Sequence, residues 1–257
     1  MENSNRSAYL SQEAHMSRLS GIKAVLFDLF DTLLLIKDSN ISENCLKNIH
    51  RFLVSNGVNV SYEDFMRAYS DVRKSLYDRI SKRLEEPHFK IRITDTLRRL
   101  GYNCNIEAPI VKGATEAYSE EFARHVYSDE EAHHTLCRLR ERGYKIGVIS
   151  NFAIPECAHK LISDYGLKDL LDVTVISAEV NRRKPSPEIY NFALGLLGIN
   201  AEEAVFVGDT PDIDIRGAKA VGMKTILILR KEMEISTEDK PDFVIKRLSD
   251  LLNLLCG

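Results

Sequence analysis

A chain of 257 residues, 44% hydrophobic and 28% charged, has enough apolar material for a sizeable core and enough charge for a soluble globular protein. Its formal net charge of −3 gives no overall pull towards nucleic acid or an anionic membrane, so neither is expected as a partner. Five dispersed cysteines (Cys45, Cys104, Cys137, Cys157 and Cys256), without a Cys-x-x-Cys pair, argue against a disulfide framework or a zinc site and for a reducing, cytoplasmic setting.

Residues 1–20 are polar, rich in Ser and Asn, and lack the apolar centre of a signal peptide, so they read as a tail. The run Lys23-Ala-Val-Leu-Phe-Asp28-Leu-Phe30-Asp31-Thr32 follows. An apolar stretch that stops at acids reads as a buried parallel strand, and ligands gather at the carboxyl ends of such strands. Charge is costly to bury, so these acids need a reason such as a metal or a reacting group. Alone, an Asp-Thr helix cap would explain them equally well. Asp28 and Asp31 also break the longest apolar run, which therefore does not span a bilayer.

Residues 41–128 read as helices with no strand pattern. Ser61 and Asp64 form a helix start, and Phe65, Tyr69, Val72, Leu76, Ile80 and Leu84 follow at helical steps, with Pro87 closing the helix. Gly57 and Gly101 stand where helix ends are expected. Arg67, Arg73, Lys74 and Arg79 in this block are candidates to meet a second anion on a substrate, although helix-borne cations are mostly solvated. From residue 129 the pattern alternates: helix 129–142, strand 145–149, helix 155–165, strand 173–176, helix 187–197, strand 204–208, helix 212–221, strand 225–229 and strand 243–245. Repeated βα units imply an α/β, Rossmann-like, doubly wound parallel sheet. Residues 21–37 and 129–257 are expected to form that core, and 38–128 an all-helical insert.

Three more segments at predicted strand ends carry chemistry. Ser150-Asn151 can hydrogen-bond an anionic oxygen, and can equally be a helix cap. Lys184-Pro-Ser-Pro187 holds one ammonium in a stiff loop, beside Arg182 and Arg183. Gly208-Asp209 runs on to Asp212 and Asp214. A hard cation such as Mg2+ takes oxygen ligands, and Asp28 and Asp209 can both supply them if their strands are neighbours, with Asp214 binding directly or through water.

Asp28-x-x-x-Thr32, Ser150-Asn151, Lys184-Pro-x-Pro and Gly208-Asp209-x4-Asp214 together resemble motifs I to IV of the haloacid dehalogenase-like hydrolases, in order and in strand context. The insert resembles the helical C1 cap of subfamily I. The resemblance implies that Asp28 is the nucleophile, that Lys184 and Mg2+ offset its repulsion with a phosphate, and that Ser150, Asn151 and Thr32 hold the phosphoryl group. It further implies that Asp28, the carbonyl of Phe30, Asp209 and Asp214 bind the metal. The expected activity is a Mg2+-dependent phosphatase acting on a small phosphorylated metabolite. Phosphatases of the family usually carry a second Asp two residues after the nucleophile, as general acid and base. Here that position is Phe30, and Asp31 is the nearest substitute. Adjacent residues of an extended chain point to opposite faces, so Asp31 serves only if the loop curls. Members that break carbon–halogen bonds also lack this acid, and Tyr190 matches a position in them, so a dehalogenase is the alternative. A weakly active phosphate-binding relative is the third reading.

Overall fold

The computed structural model describes residues 19–37 and 40–255. The polar segment read over residues 1–20 lies outside these except for Leu19 and Ser20, and Cys256 lies outside as well. In chain order the elements are β1 (Ala24–Phe27), β2 (Leu34–Ile36), α1 (Ile41–Ser55), α2 (Tyr62–Ile80), α3 (Phe89–Arg99), α4 (Pro109–Arg124), β3 (Val126–Ser128), α5 (Ala132–Glu141) and β4 (Lys145–Ser150). They continue as α6 (Pro155–Asp164), β5 (Val173–Ile176), α7 (Ser177–Val180), α8 (Pro187–Leu197), β6 (Ala204–Gly208), α9 (Arg216–Ala220), β7 (Lys224–Ile228), β8 (Phe243–Ile245) and α10 (Leu251–Leu255).

Six strands form one parallel sheet in the order β5-β4-β1-β6-β7-β8. The short apolar runs of β1, β4 and β6 are buried on both faces because helices cover the sheet on both sides. Val25 and Phe27 of β1 point into one hydrophobic cluster, and Ala24 and Leu26 into another. The first cluster continues without a break into the insert, through Leu53, Phe65, Phe89, Val111 and Phe122, so one apolar core joins both parts. No helix among the described residues is long and apolar enough to cross a membrane.

Two details depart from the sequence reading. Residues 126–128 are a strand, not helix, and β3 pairs antiparallel with β2, in the register Leu34↔Ser128 and Ile36↔Val126. The two ends of the insert are therefore stapled together at the point where it leaves and rejoins the core. Three-residue strands are too short to show a periodicity. The second departure is α2, which ends at Ile80. Leu84 leaves the helix in a left-handed conformation (φ 52°), and its carbonyl accepts a hydrogen bond from the N–H of Arg183 in the core. Docking of this loop on the core overrides the helical spacing up to Leu84.

The start of α2 is built from local chemistry. Ser61 sits in an extended conformation, and its hydroxyl accepts the N–H of Asp64 at 3.1 Å. Ser61→Ala is expected to lower stability by about 1 kcal/mol, and Ser61→Gly by a few tenths of that. Urea denaturation midpoints of the two variants check this, and equal midpoints would deny the cap its role.

Candidate active site

β1 lies between β4 and β6, so three strand ends converge at the middle of the sheet. Asp28 prolongs the β1–β6 ladder by donating its N–H to the Val207 carbonyl at 2.8 Å. Its backbone is thus fixed between Ser150, the last residue of β4, and Gly208-Asp209 at the end of β6. The Asp28 carboxylate is largely buried, at 12% side-chain exposure, and it pairs with the Nζ of Lys184 from the loop before α8. That ammonium, 1% exposed, also bonds Asp214 Oδ1 at 2.7 Å.

An ammonium buried this deeply must be paired. Burial alone would lower the Lys184 pKa, but the Asp214 and Asp28 carboxylates outweigh it and raise that pKa above the ordinary lysine value. The carboxylates are less well provided for. Oxygens of Asp28, Asp209 and Asp214 lie within 4.8 Å of one another. Burial pushes the Asp28 carboxyl up to about 8, with repulsion from Asp214 and Asp209 adding to it and Lys184 opposing. Asp209 is pushed to about 6, again by burial first and then by Asp214 and Asp31. One ammonium pairs two of the three acids and leaves Asp209 without it, so the cluster is short of positive charge. Its donors are all oxygen, with no His or Cys, which suits a hard divalent cation.

The neighbouring groups hold this arrangement. Asn151 donates its Nδ2 to the Lys184 carbonyl at 2.9 Å and accepts the Lys184 N–H at 2.7 Å, so its oxygen and one of its two amide hydrogens are committed to the lysine backbone. Tyr190, fully buried, donates its hydroxyl to the carbonyls of Ile213 and Asp214 at 3.0 and 3.2 Å. Asp214 Oδ2 accepts the Thr210 N–H at 3.0 Å, so both oxygens of Asp214 are already engaged. The hydroxyls of Ser150 and Thr32 behave differently. Both are buried, and among the described residues neither has a hydrogen-bond partner.

Phe30 and Asp31 part company directly after Asp28. The Phe30 ring packs against Phe122 of α4 (5.2 Å between centroids) and Phe152 of the core (4.9 Å), bridging insert and core. Asp31 adopts a left-handed conformation (φ 57°), and its Oδ1 accepts the Ile36 N–H at 3.2 Å. The loop does curl, and it commits one Asp31 oxygen to the backbone at the end of β2. Sequence reasoning missed Arg230, whose guanidinium donates to the carbonyls of Asp31 (3.0 Å) and Thr32 (2.5 Å) and pairs with Asp129 at 2.8 Å. Its position just past β7, on the same edge of the sheet, was the available signal.

The sequence profile of the haloacid dehalogenase-like hydrolases matches residues 22–222, which span every element of this site up to α9. The chain belongs to that family. A glyceraldehyde 3-phosphate phosphatase from Methanopyrus kandleri is 35% identical over 240 residues, covering 91% of this chain and 97% of its own length. Among solved structures, a HAD phosphatase from Thermococcus onnurineus is 25% identical with a TM-score of 0.64, covering 92% of this chain and 99% of its own. A 2-haloacid dehalogenase from Pseudomonas syringae is also 25% identical, with a TM-score of 0.67, covering 91% and 97%. The two structural neighbours carry different chemistries on one fold, so the choice for this HAD hydrolase rests on its site.

Gly208 permits the closest approach in that site. A Cβ there would fall 2.4 Å from Asp214 Oδ2 and 2.6 Å from Asp214 Cβ. Gly208→Ala is expected to drive Asp214 off Thr210 and Lys184 and to cost about 1–3 kcal/mol in stability, as overpacking does. A urea midpoint equal to that of the parent chain would mean that Asp214 yields freely.

Proposed function

We propose that this hydrolase transfers a phosphoryl group from a small phosphorylated metabolite to water through a covalent intermediate on Asp28. The observation that carries the reading is the all-oxygen cluster of Asp28, Asp209 and Asp214 around one buried lysine. Asp28 and Asp209, with the Phe30 carbonyl, would hold Mg2+ directly. Asp214, already engaged by Lys184 and the Thr210 amide, would support the site from behind. When bound, Mg2+ offsets the carboxylate repulsion and neutralises charge on the phosphoryl oxygens.

The remaining work falls to the chain itself. The Asp28 carboxylate attacks phosphorus in line while the bond to the leaving oxygen breaks, and water later attacks the aspartyl phosphate to release phosphate and restore Asp28. Lys184 lowers the repulsion between that carboxylate and the incoming dianion. Asn151 fixes the lysine backbone from both sides. The buried, unpartnered hydroxyls of Ser150 and Thr32 are donors in want of an acceptor, which phosphoryl oxygens provide. The printed name of the Methanopyrus relative, similar over nearly its whole length, supports a small phosphorylated substrate.

Phe30 offers the leaving group no proton, and Asp31 is tied into its turn through Ile36. The rate should therefore depend steeply on how well the leaving group departs unaided. General acid help is worth about 10²–10⁴-fold, so aryl phosphates are expected to outrun alkyl phosphates by a factor of that order. Hydrolysis of p-nitrophenyl phosphate should require Mg2+, stop in EDTA, and vanish in Asp28→Asn. Activity that survives Asp28→Asn would remove the nucleophile from its role. The aromatic Phe30 together with Tyr190 favours a second reading, a dehalogenase, for which the acidic cluster has no use. Halide release from 2-chloropropionate in EDTA, with no turnover of p-nitrophenyl phosphate in Mg2+, would establish that reading instead.

A further inference from the structure

A cavity of about 700 Å³ lies at the junction of insert and core, lined among others by Arg73, Lys74 and Tyr69 of α2, Arg92 of α3, Glu86 and Arg183. Its volume is that of a small-molecule site. It borders the catalytic loop, since Arg183 immediately precedes Lys184 and donates its N–H to Leu84 of the insert at 2.8 Å. Four cations face a single acid. Glu86 is 7% exposed and pairs with Arg183 at 3.3 Å. Among the described residues, Arg73 and Lys74 form no ion pair.

Arg92 is the most telling of the four. It donates Nη1 to the Tyr69 hydroxyl at 3.1 Å and lies against the rings of Tyr69 and Phe89. Its Nε is buried with no partner among the described residues. A guanidinium held by stacking, with an unspent buried donor and no carboxylate of its own, is built to receive an anion. Glu86 interacts electrostatically with Arg92 but forms its ion pair with Arg183, which leaves the Arg92 Nε without a bonded acceptor.

We infer that this cavity binds a second anionic group of the substrate, a carboxylate or a second phosphate remote from the phosphoryl group that Asp28 attacks. The inference rests on the phosphatase reading for what occupies the Asp28 end. It narrows the substrate class to small phosphorylated acids and bisphosphorylated compounds, rather than phosphate esters whose far end is neutral.

3-Phosphoglycerate and glycerol 3-phosphate share a three-carbon frame and a phosphate, and differ in whether the far carbon is a carboxylate or a hydroxymethyl group. Titration calorimetry of the full chain in EDTA, where nothing turns over, reads the inference directly. Hydrolysis of p-nitrophenyl phosphate in Mg2+ tests the phosphatase reading separately, so that failure of one is distinct from failure of the other. The parent chain should bind 3-phosphoglycerate at least tenfold more tightly than glycerol 3-phosphate. In Arg92→Met and in Lys74→Ala that ratio should fall to below threefold, through weaker binding of 3-phosphoglycerate alone. Lys74 is exposed, so its variant decides the matter if Arg92→Met does not fold. Equal binding of both compounds by the parent chain, or a preference that survives both substitutions, overturns the inference.

Discussion

The molecule is organised around one buried ammonium. Lys184 sits between Asp28 and Asp214 with almost none of its side chain in water. Removing an ammonium and two carboxylates from solvent is costly, and only close pairing and further hydrogen bonds offset that cost. The surrounding residues meet the requirement one by one. Asn151 fixes the lysine backbone, the Thr210 amide takes the second Asp214 oxygen, Tyr190 holds the carbonyls of that segment, and Gly208 leaves room for the carboxylate to come close. Even so, the balance stays negative, because Asp209 brings a third carboxylate that the lysine does not reach. Burial first, and then repulsion among the acids, raises the Asp28 and Asp209 carboxyls above their ordinary values. The Mg2+ of the proposed function would supply the positive charge that the lysine leaves wanting.

The sheet makes this possible. Parallel pairing points all strand ends the same way, and β1 has β4 on one side and β6 on the other. The register sets Phe27 opposite Val148 and Val207, so Asp28 emerges level with Ile149, one residue before β4 ends, and with Gly208, the last residue of β6. An antiparallel β1 would send its carboxyl end to the opposite edge and leave Asp28 alone. Local geometry then separates the roles of consecutive residues: Asp28 enters the cluster, Phe30 turns to the insert, and Asp31 turns back to the end of β2.

What could be read in the sequence follows from the range of the forces involved. Buried strands announce themselves as apolar runs, so β1, β4, β5, β6 and β7 and the acids at the ends of β1 and β6 were legible, as was the Ser61 start of α2. The parallel α/β class followed from the alternation. The β2–β3 staple was not legible, since three residues carry no period and their pairing joins positions about ninety residues apart. Nor was the use of Asn151. Its type allows contact with a ligand or with backbone, and only the approach of the Lys184 loop decides for backbone. Arg230 acts on carbonyls some two hundred residues away, a contact that no local pattern encodes.

The ring of Phe30 is the point at which chemistry and architecture meet. Together with Phe122 and Phe152 it closes an apolar roof between insert and core, and Tyr118 and Phe89 extend that roof towards the basic cavity. In the proposed reaction such an apolar cover would keep water from the Asp28 carboxylate and strengthen the Coulombic interactions beneath it. A carboxylic acid at the same position would deliver a proton, but it would add a fourth charge to a cluster already short of cations and open the roof. The two solutions exclude each other at a single residue. This chain carries the apolar ring, which under the proposed reaction leaves discrimination between substrates to the leaving group's own stability and to the cations of the insert.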